Sequence, residues 1–224
     1  IISVSLSWYV AGKLVEPAQT KIQVPPDFPF VAFHTDSESG SRIAGWHVSA
    51  ETSRGVVVLL HGIRSNRLAM LDRARFLHRN QYSVVAIDFQ AHGESPGNAI
   101  TLGHLEKFDA IAAVDYAKKI FPNSPVAVIG ASMGGAAVLL APTLNIDALI
   151  VESIYTDIRT AVKHRVRQRL GVFHSLPAEI LLFQLYLRLG VQEKALSPID
   201  EIRIARYPML IIAGADDQHT TADD

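Results

Sequence analysis

The sequence of 224 residues contains no cysteine. A disulfide framework, a thiolate zinc site and a cysteine nucleophile are therefore all excluded. The chain also has no excess of either charge: 21 Lys and Arg stand against 22 Asp and Glu, so the formal net charge at pH 7 is -1. Proteins that bind nucleic acids usually carry a basic face and a raised pI, so this balance argues against a nucleic-acid partner.

Long hydrophobic runs are also missing, because no apolar stretch reaches the roughly 20 residues that a membrane-spanning helix needs. The first residues, IISVSLSWYVAG, are nevertheless apolar and carry Trp8 and Tyr9 near their end. This pattern is typical of the remnant of a signal anchor, or of a docked N-terminal helix or strand. Residues 1–29 are therefore predicted to be a separate N-terminal segment, with membrane association or export and a cytoplasmic location as open alternatives.

Short, continuously apolar runs rich in Val and Ile recur after residue 29, and stretches with helical periodicity alternate with them. Uninterrupted apolar strands are typical of parallel sheets that are covered on both faces. PFVAFHT and RIAGWHV come before these runs and predict a hairpin or a short meander. The chain is therefore predicted to be an α/β protein with a doubly wound, mostly parallel sheet. The predicted buried strands are GVVVLL (55–60), SVVAID (83–88), PVAVIG (125–130), IDALIVE (146–152) and YPMLIIAG (207–214).

The alternation breaks between residues 153 and 206, where two helical patterns occur and no buried strand does. This interval is predicted to be a helical insertion above the sheet, a candidate lid. It contains a run of basic residues with no acid across residues 159–170. Such a run is typical of a solvated helix face, and contact with anionic lipid head groups or an acidic substrate is the alternative.

The most specific motif is Gly130-Ala131-Ser132-Met133-Gly134, which follows PVAVIG and precedes an Ala- and Leu-rich helical stretch. In this strand-turn-helix context G-x-S-x-G forms a sharp turn that exposes the serine hydroxyl, and the glycines relieve crowding in the turn. The sequence therefore predicts a nucleophilic serine at the carboxyl edge of the sheet, where ligands bind in folds of this class.

Two further motifs precede this turn in the chain, LLHGIRSNR after the first buried strand and IDFQAHGES after the second. They resemble the His-Gly oxyanion loop and the Asp-x-x-x-His-Gly-x-Ser turn of the α/β-hydrolase superfamily. With the serine turn, they make the chain resemble a serine hydrolase of that superfamily over residues 30–224. The resemblance implies an α/β-hydrolase domain in which residues 153–206 form the lid insertion.

The resemblance also implies roles for individual residues. Ser132 would be the nucleophile, and the backbone N–H groups of Met133 and Ile63 would form the oxyanion hole, with Arg64 or Ser65 as substitutes for Ile63. The triad acid would be Asp217, since GADD resembles the family's G-x-x-D. Asp216 is the alternative acid, and Glu152, at the end of the preceding strand, is a second one.

The catalytic histidine is not found where the family places it, because only seven residues follow Asp217. The family order is serine, acid, histidine, which disfavours His61 and His92 as the base. His219 lies two residues after Asp217 and is assigned to the loop. The base, with the last helix and strand, is therefore expected beyond residue 224; loss of catalysis is the alternative.

The expected function is hydrolysis of a carboxylic ester or related acyl compound, small or lipid-like, through an acyl-enzyme on Ser132. A serine peptidase or thioesterase would use the same machinery, and a non-catalytic binding protein on this fold is the alternative from another class. No cofactor is predicted, since the sequence has neither a P-loop nor G-x-G-x-x-G after the first strand. No metal site is predicted either, because the histidines lack the close spacing of a zinc helix.

Overall fold

The computed structural model describes residues 2–141 and 144–214, with side chains from Ser5 onward. Within these ranges a strand-rich body alternates with helices, as the sequence predicts. The helices are α1 (Ile2–Val15), α2 (Leu71–Arg79), α3 (Glu106–Ile120), α4 (Met133–Leu139), α5 (Ile158–Leu170), α6 (Ser175–Leu189) and α7 (Pro198–Ile202), with 3-10 turns at Arg67–Met70, Gly171–Phe173 and Glu193–Leu196. The strands are β1 (Ala18–Gln19), β2 (Val31–Asp36), β3 (Arg42–Val48), β4 (Val56–Leu60), β5 (Ser83–Ile87), β6 (His92–Gly93), β7 (Val126–Ala131), β8 (Ala148–Glu152) and β9 (Met209–Ile212).

The main sheet has seven strands in the order β2-β3-β5-β4-β7-β8-β9. β2 and β3 form the predicted antiparallel hairpin, and β3 also pairs antiparallel with β5. All pairs from β5 to β9 are parallel. The predicted mostly parallel, doubly wound α/β fold is therefore confirmed.

Helices cover both faces of the sheet, which explains why its central strands are continuously apolar. Every residue of β4 and β5 is buried. Val58 and Leu60 pack in one cluster with α3 and α4, whereas Val57 and Leu59 pack in another with Ala74 of α2. Alternate residues of one strand thus enter two different cores, so a polar side chain on either face would be desolvated.

The last two strands are less buried than the sequence predicts. Buried and half-buried residues alternate along β8. The prediction that 207–214 is a fully buried strand is wrong, because Leu210, Ile211 and Ile212 of β9 are all exposed. β9 pairs with β8 on one side, and among the described residues no element covers its faces to the extent that α2, α3 and α4 cover the central strands.

The N-terminal segment packs along the domain. Helix α1 lies against α6: Gln184 Nε2 donates to Ser7 Oγ (2.9 Å), and the Arg188 guanidinium lies 3.9 Å from the centroid of the Trp8 ring. Strand β1 then pairs in parallel with β6. Among the described residues, no helix has the length and apolar character needed to cross a membrane.

Between β8 and β9 the described chain is helical, with α5, α6 and α7 and two 3-10 turns. We call residues 153–206 the helical insertion. Its helices share a hydrophobic cluster in which Val162 and Val166 of α5 meet Leu182 and Leu185 of α6, and Val15 of α1 belongs to the same cluster. Arg159, within the basic run, is not simply solvated, because it pairs with Glu179 and Glu193.

Candidate active site

The serine turn lies at the carboxyl end of β7 and has strained backbone geometry. Ser132 has φ 49° and ψ -115°, outside the regions that L-residues normally occupy. Its N–H donates to the carbonyl of Glu152 at the end of β8 (2.7 Å), which holds the turn against the neighbouring strand. Such strain persists only where the surrounding structure enforces it, and it is concentrated at functional sites.

The glycines around Ser132 are required by close packing of backbone on backbone. A Cβ added to Gly130 would lie 2.6 Å from the nitrogen of Gly135, and one added to Gly134 would lie 2.5 Å from the carbonyl oxygen of Leu60. Both distances are far below contact. The motif's glycines thus let the start of α4 approach the end of β4, where the next loop begins.

That loop, residues 61–66, lies against the serine turn and contains Ile63, one of the two residues predicted to donate to an oxyanion. A Cβ on Gly62 would lie 3.5 Å from the Cβ of Ser132, so the loop directly contacts the serine turn. Met133 is the first residue of α4, where backbone N–H groups have no partner within the helix. Ile63 follows Gly62 and packs against the main core.

Arg64 is removed from the set of alternative oxyanion donors by a hydrogen bond. Its backbone N–H donates to Nε2 of His92 (3.0 Å), while Nδ1 of His92 lies 2.9 Å from the carbonyl oxygen of Gln90. An N–H that is already donated to an imidazole is not free to stabilise an oxyanion. This contact leaves the backbone N–H groups of Ile63 and Ser65 as the candidate donors on this loop.

His61 is buried beneath the same loop, and backbone groups engage both of its ring nitrogens. Nδ1 lies 2.7 Å from the carbonyl oxygen of Gly62, and Nε2 accepts from the N–H of Phe89 (3.1 Å). These partners require the neutral tautomer with the proton on Nδ1. Burial lowers the pKa of His61 to about 3, with the nearby His92 as the next cause.

Neither His61 nor His92 has a ring nitrogen available to take a proton from Ser132. The pKa of His92 is lowered as well, chiefly by burial. Both rings therefore fix the conformation of the loops around the serine, which agrees with the motif order that disfavours them as the base.

The Asp-x-x-x-His-Gly-x-Ser turn is held by a buried ion network that the sequence did not reveal. The guanidinium of Arg67 pairs with Asp88 and Glu94 and lies 4.3 Å from the centroid of the Trp46 ring. Asp88 also accepts from the backbone N–H groups of Arg67 and Glu94 (2.8 and 2.9 Å). Asp88 and Arg67 stand in two different motifs, IDFQAHGES and the end of LLHGIRSNR, and neither motif by itself indicates that the two side chains pair.

Glu152, one of the two alternative triad acids, is engaged elsewhere. Its carboxylate forms an ion pair with Arg73 of α2, in which Arg73 Nε also donates to Oε1 at 3.1 Å. A carboxylate held by a guanidinium in this way is poorly suited to orient an imidazole. Asp216, Asp217 and His219 lie outside the described residues.

The oxyanion loop is also tied to the N-terminal helix. The side chain of Arg64 reaches the end of α1, where Nη1 donates to the carbonyl oxygens of Lys13 (2.8 Å) and Glu16 (3.1 Å). Arg64 itself has φ 56°, a left-handed conformation that is uncommon for a non-glycine residue. The residue that follows Ile63 is thus held at its backbone by His92 and at its side chain by α1.

Comparison with known proteins places this geometry in a family. The family model described as serine aminopeptidase, S33, matches residues 51–180. The protein YqkD of Bacillus subtilis (strain 168) is 28% identical over 195 residues, which are 84% of this chain and 63% of that protein. Human monoglyceride lipase is 31% identical over 91 residues, 40% of this chain and 30% of the lipase. The chain thus spans less than two thirds of the length of these curated relatives.

Solved structures show the same fold. An esterase of Pyrococcus furiosus superposes with a TM-score of 0.75 at 22% identity, covering 94% of this chain and 81% of that chain. A Xanthomonas campestris protein, described as an α/β serine hydrolase without lid, superposes with a TM-score of 0.58 at 18% identity, covering 89% of this chain and 78% of that chain. Since the family model spans more than half of the chain and includes the serine turn, the chain belongs to the serine aminopeptidase S33 family of the α/β-hydrolase superfamily.

Proposed function

We propose that the protein is a serine hydrolase that cleaves a carboxylic ester or a related acyl compound through an acyl-enzyme on Ser132. The observation that carries the proposal is the strained turn at Ser132, with φ 49° and ψ -115°, packed against the Gly62 loop. The names of an esterase and of monoglyceride lipase among the similar proteins support ester chemistry.

The proposed reaction has two steps. The Oγ of Ser132 attacks the carbonyl carbon of the ester and its proton passes to a general base, which gives a tetrahedral oxyanion. Collapse of the oxyanion expels the alcohol, which takes up the proton, and leaves the acyl group on Oγ. Water then attacks the acyl-enzyme in the same manner, and the carboxylic acid leaves as Ser132 is restored.

In this proposal the N–H groups of Met133 and Ile63 stabilise the oxyanion. Each such preorganised donor typically lowers the barrier by about 3–4 kcal/mol. Asp217 would orient the base, with Asp216 as the alternative. The base is a histidine other than His61 and His92, because those two rings have no nitrogen available.

The acyl substrate is proposed to be small or lipid-like, and the helical insertion is proposed to act as a lid over it. The name of the family itself supports a peptidase as the second candidate, since an aminopeptidase would use the same nucleophile. A thioesterase domain from the curacin biosynthetic pathway is similar in fold, at 16% identity, and makes acyl thioesters a third class for the substrate screen.

The proposal is tested by labelling the full-length protein with a fluorophosphonate, which reacts with activated serines. We expect stoichiometric labelling of the wild type and none of Ser132→Ala. Turnover of p-nitrophenyl esters should fall by several orders of magnitude in that variant. The same assays on Asp217→Asn and Asp216→Asn rank the two acids, and we expect the loss to be larger for Asp217→Asn, on the order of 10⁴-fold.

Ser153→Ala is the matched control, because Ser153 also has positive φ (48°) and follows the neighbouring strand β8. It should label and turn over like the wild type. Faster turnover of aminoacyl p-nitroanilides or acyl thioesters than of esters would change the substrate class. Absence of labelling in the wild type would favour the non-catalytic binding protein.

A further inference from the structure

The turn between α5 and α6 exposes apolar side chains that no neighbouring element covers. Val172, Phe173 and Leu176 are 85%, 81% and 71% exposed, the highest values among the large hydrophobic residues of the described chain. They follow one another across the 3-10 turn Gly171–Phe173 and the first residues of α6. We call residues 170–176 the hairpin tip.

The apolar surface continues along the outward face of α6. Phe183 and Leu187 are also exposed, and they lie seven and eleven positions after Leu176, on the same side of the helix. The opposite side of α6, with Leu182 and Leu185, packs in the core of the helical insertion. Helix α6 therefore has two apolar faces, and folding within the described residues uses only one.

Cations stand directly beside the hairpin tip. Arg167 and Arg169 occupy the last turn of α5 and are exposed. No acidic residue occurs between Asp157 and Glu179. Glu179 pairs with Arg159 and Lys163, whereas Arg167 and Arg169 form no ion pair with any described residue.

We propose that the hairpin tip is a docking surface for an anionic lipid membrane. Apolar side chains beside cations match the boundary between acyl chains and head groups, where the apolar residues insert and the arginines meet phosphates. A second copy of this chain fits less well, because a symmetric contact at this surface would bring the arginines of both copies together. The tip therefore holds the helical insertion at the lipid surface.

The proposal is tested by flotation of the full-length protein with vesicles of phosphatidylcholine, with and without phosphatidylglycerol. We expect binding to the anionic vesicles that weakens as salt is raised. The pair Val172→Ser and Phe173→Ser should weaken binding by at least about tenfold. Arg167→Gln with Arg169→Gln should remove the preference for anionic vesicles, a loss of roughly 25-fold if each arginine contributes about fivefold.

Ile204→Ser is the matched control, since Ile204 is 68% exposed but lies outside the hairpin tip. It should bind vesicles like the wild type, and so should Ser132→Ala, because docking does not depend on the proposed chemistry. Three outcomes would overturn the proposal: a wild type that does not bind, an equal loss in Ile204→Ser, or a wild-type oligomer that the Val172 and Phe173 substitutions dissociate. The substitutions at Arg167, Arg169, Val172, Phe173 and Ile204 alter exposed side chains. Thermal unfolding checks that all variants fold.

Discussion

Arg64 links the loop of residues 61–66 to α1 through its side chain and to His92 through its backbone. A substitution at Arg64 removes the side-chain hydrogen bonds and leaves the backbone N–H in place. Its backbone N–H is held by His92 and its guanidinium by the carbonyl oxygens of Lys13 and Glu16. Cations are favourable at the C-terminal end of a helix, where carbonyl groups lack partners. We interpret Arg64 as a positioning residue for the neighbouring N–H of Ile63.

We expect Arg64→Ala to lower kcat for ester hydrolysis by about tenfold with little change in KM, and to slow fluorophosphonate labelling by a similar factor. The reason is that a loosened donor weakens transition-state stabilisation by part of the 10²- to 10³-fold that a complete donor supplies. Arg64→Lys should recover part of the rate, because an ammonium reaches one carbonyl.

Arg75→Ala is the control for the loss of an arginine contact, since Arg75 pairs with Asp27 away from the serine turn. Its rates should match those of the wild type. A change in KM alone for Arg64→Ala, or an equal loss in Arg75→Ala, would remove the positioning role.

At the scale of elements, α6 packs against α5 and α1, while Ser132 is held by β7, α4 and the carbonyl of Glu152. The helical insertion meets α4 through Tyr155 and Ala161, which pack with Ala136, and α6 is not part of that cluster. We therefore expect that the sequence of α6 can change without moving the serine turn.

We therefore predict that exchanging residues 176–190 for the corresponding segment of another S33 family member changes the preference for acyl-chain length but leaves Ser132 reactive. The measurement compares short and long p-nitrophenyl esters alongside fluorophosphonate labelling. An unchanged chain-length profile would assign α6 to packing alone, and loss of labelling would show that the insertion supports the serine turn.

At the scale of the whole molecule, two buried titratable groups, Asp109 and His61, have opposite effects on how stability changes with pH. Burial raises the pKa of Asp109 to about 6, against hydrogen bonds from Ser37, Ser39 and Gln90 that lower it. The folded state then binds a proton more tightly than the unfolded chain, whose Asp pKa is near 3.8. Asp109 therefore stabilises the folded state at low pH, and this stabilisation is lost as pH rises from about 4 to about 6.

His61 has the opposite effect on the pH dependence of stability, because its pKa is lowered in the folded state. Its pKa is about 3 in the folded protein against 6.5 for an ordinary histidine. Its contribution is therefore present above pH 6.5 and is lost as pH falls toward 3. Because the two windows overlap, Asp109 offsets part of the acid destabilisation that His61 causes.

We predict that Asp109→Asn steepens the loss of stability on acidification. Between pH about 6 and about 4 the free energy of unfolding of the variant should fall relative to the wild type by on the order of 2 kcal/mol. Urea unfolding across this range measures the difference. Asp115→Asn, on the exposed side of the same helix α3, is the control. Parallel curves for the wild type and Asp109→Asn would contradict the prediction.

Local sequence patterns suffice to predict the alternation of strands and helices, the parallel core and the position of the serine turn. Each of these follows from local patterns: apolar runs covered on two faces, helical periodicity, and glycines within two residues of Ser132. The contacts that hold those parts in place depend instead on the tertiary structure. Arg64 and Lys13 are 51 positions apart, and Arg73 and Glu152 are 79 apart.

The same limit explains the errors in the prediction from sequence. The apolar sequence of residues 207–214 correctly predicts a strand. The burial of that strand depends on which elements pack over β9, and no local pattern encodes this. For His61 and His92 the motif order correctly disfavours a role as the base, but the partners that engage their Nε2 atoms, the N–H groups of Phe89 and Arg64, are each 28 positions away. Residue types and periodicity are local properties of the chain, whereas burial and hydrogen-bond partners exist only once distant segments meet.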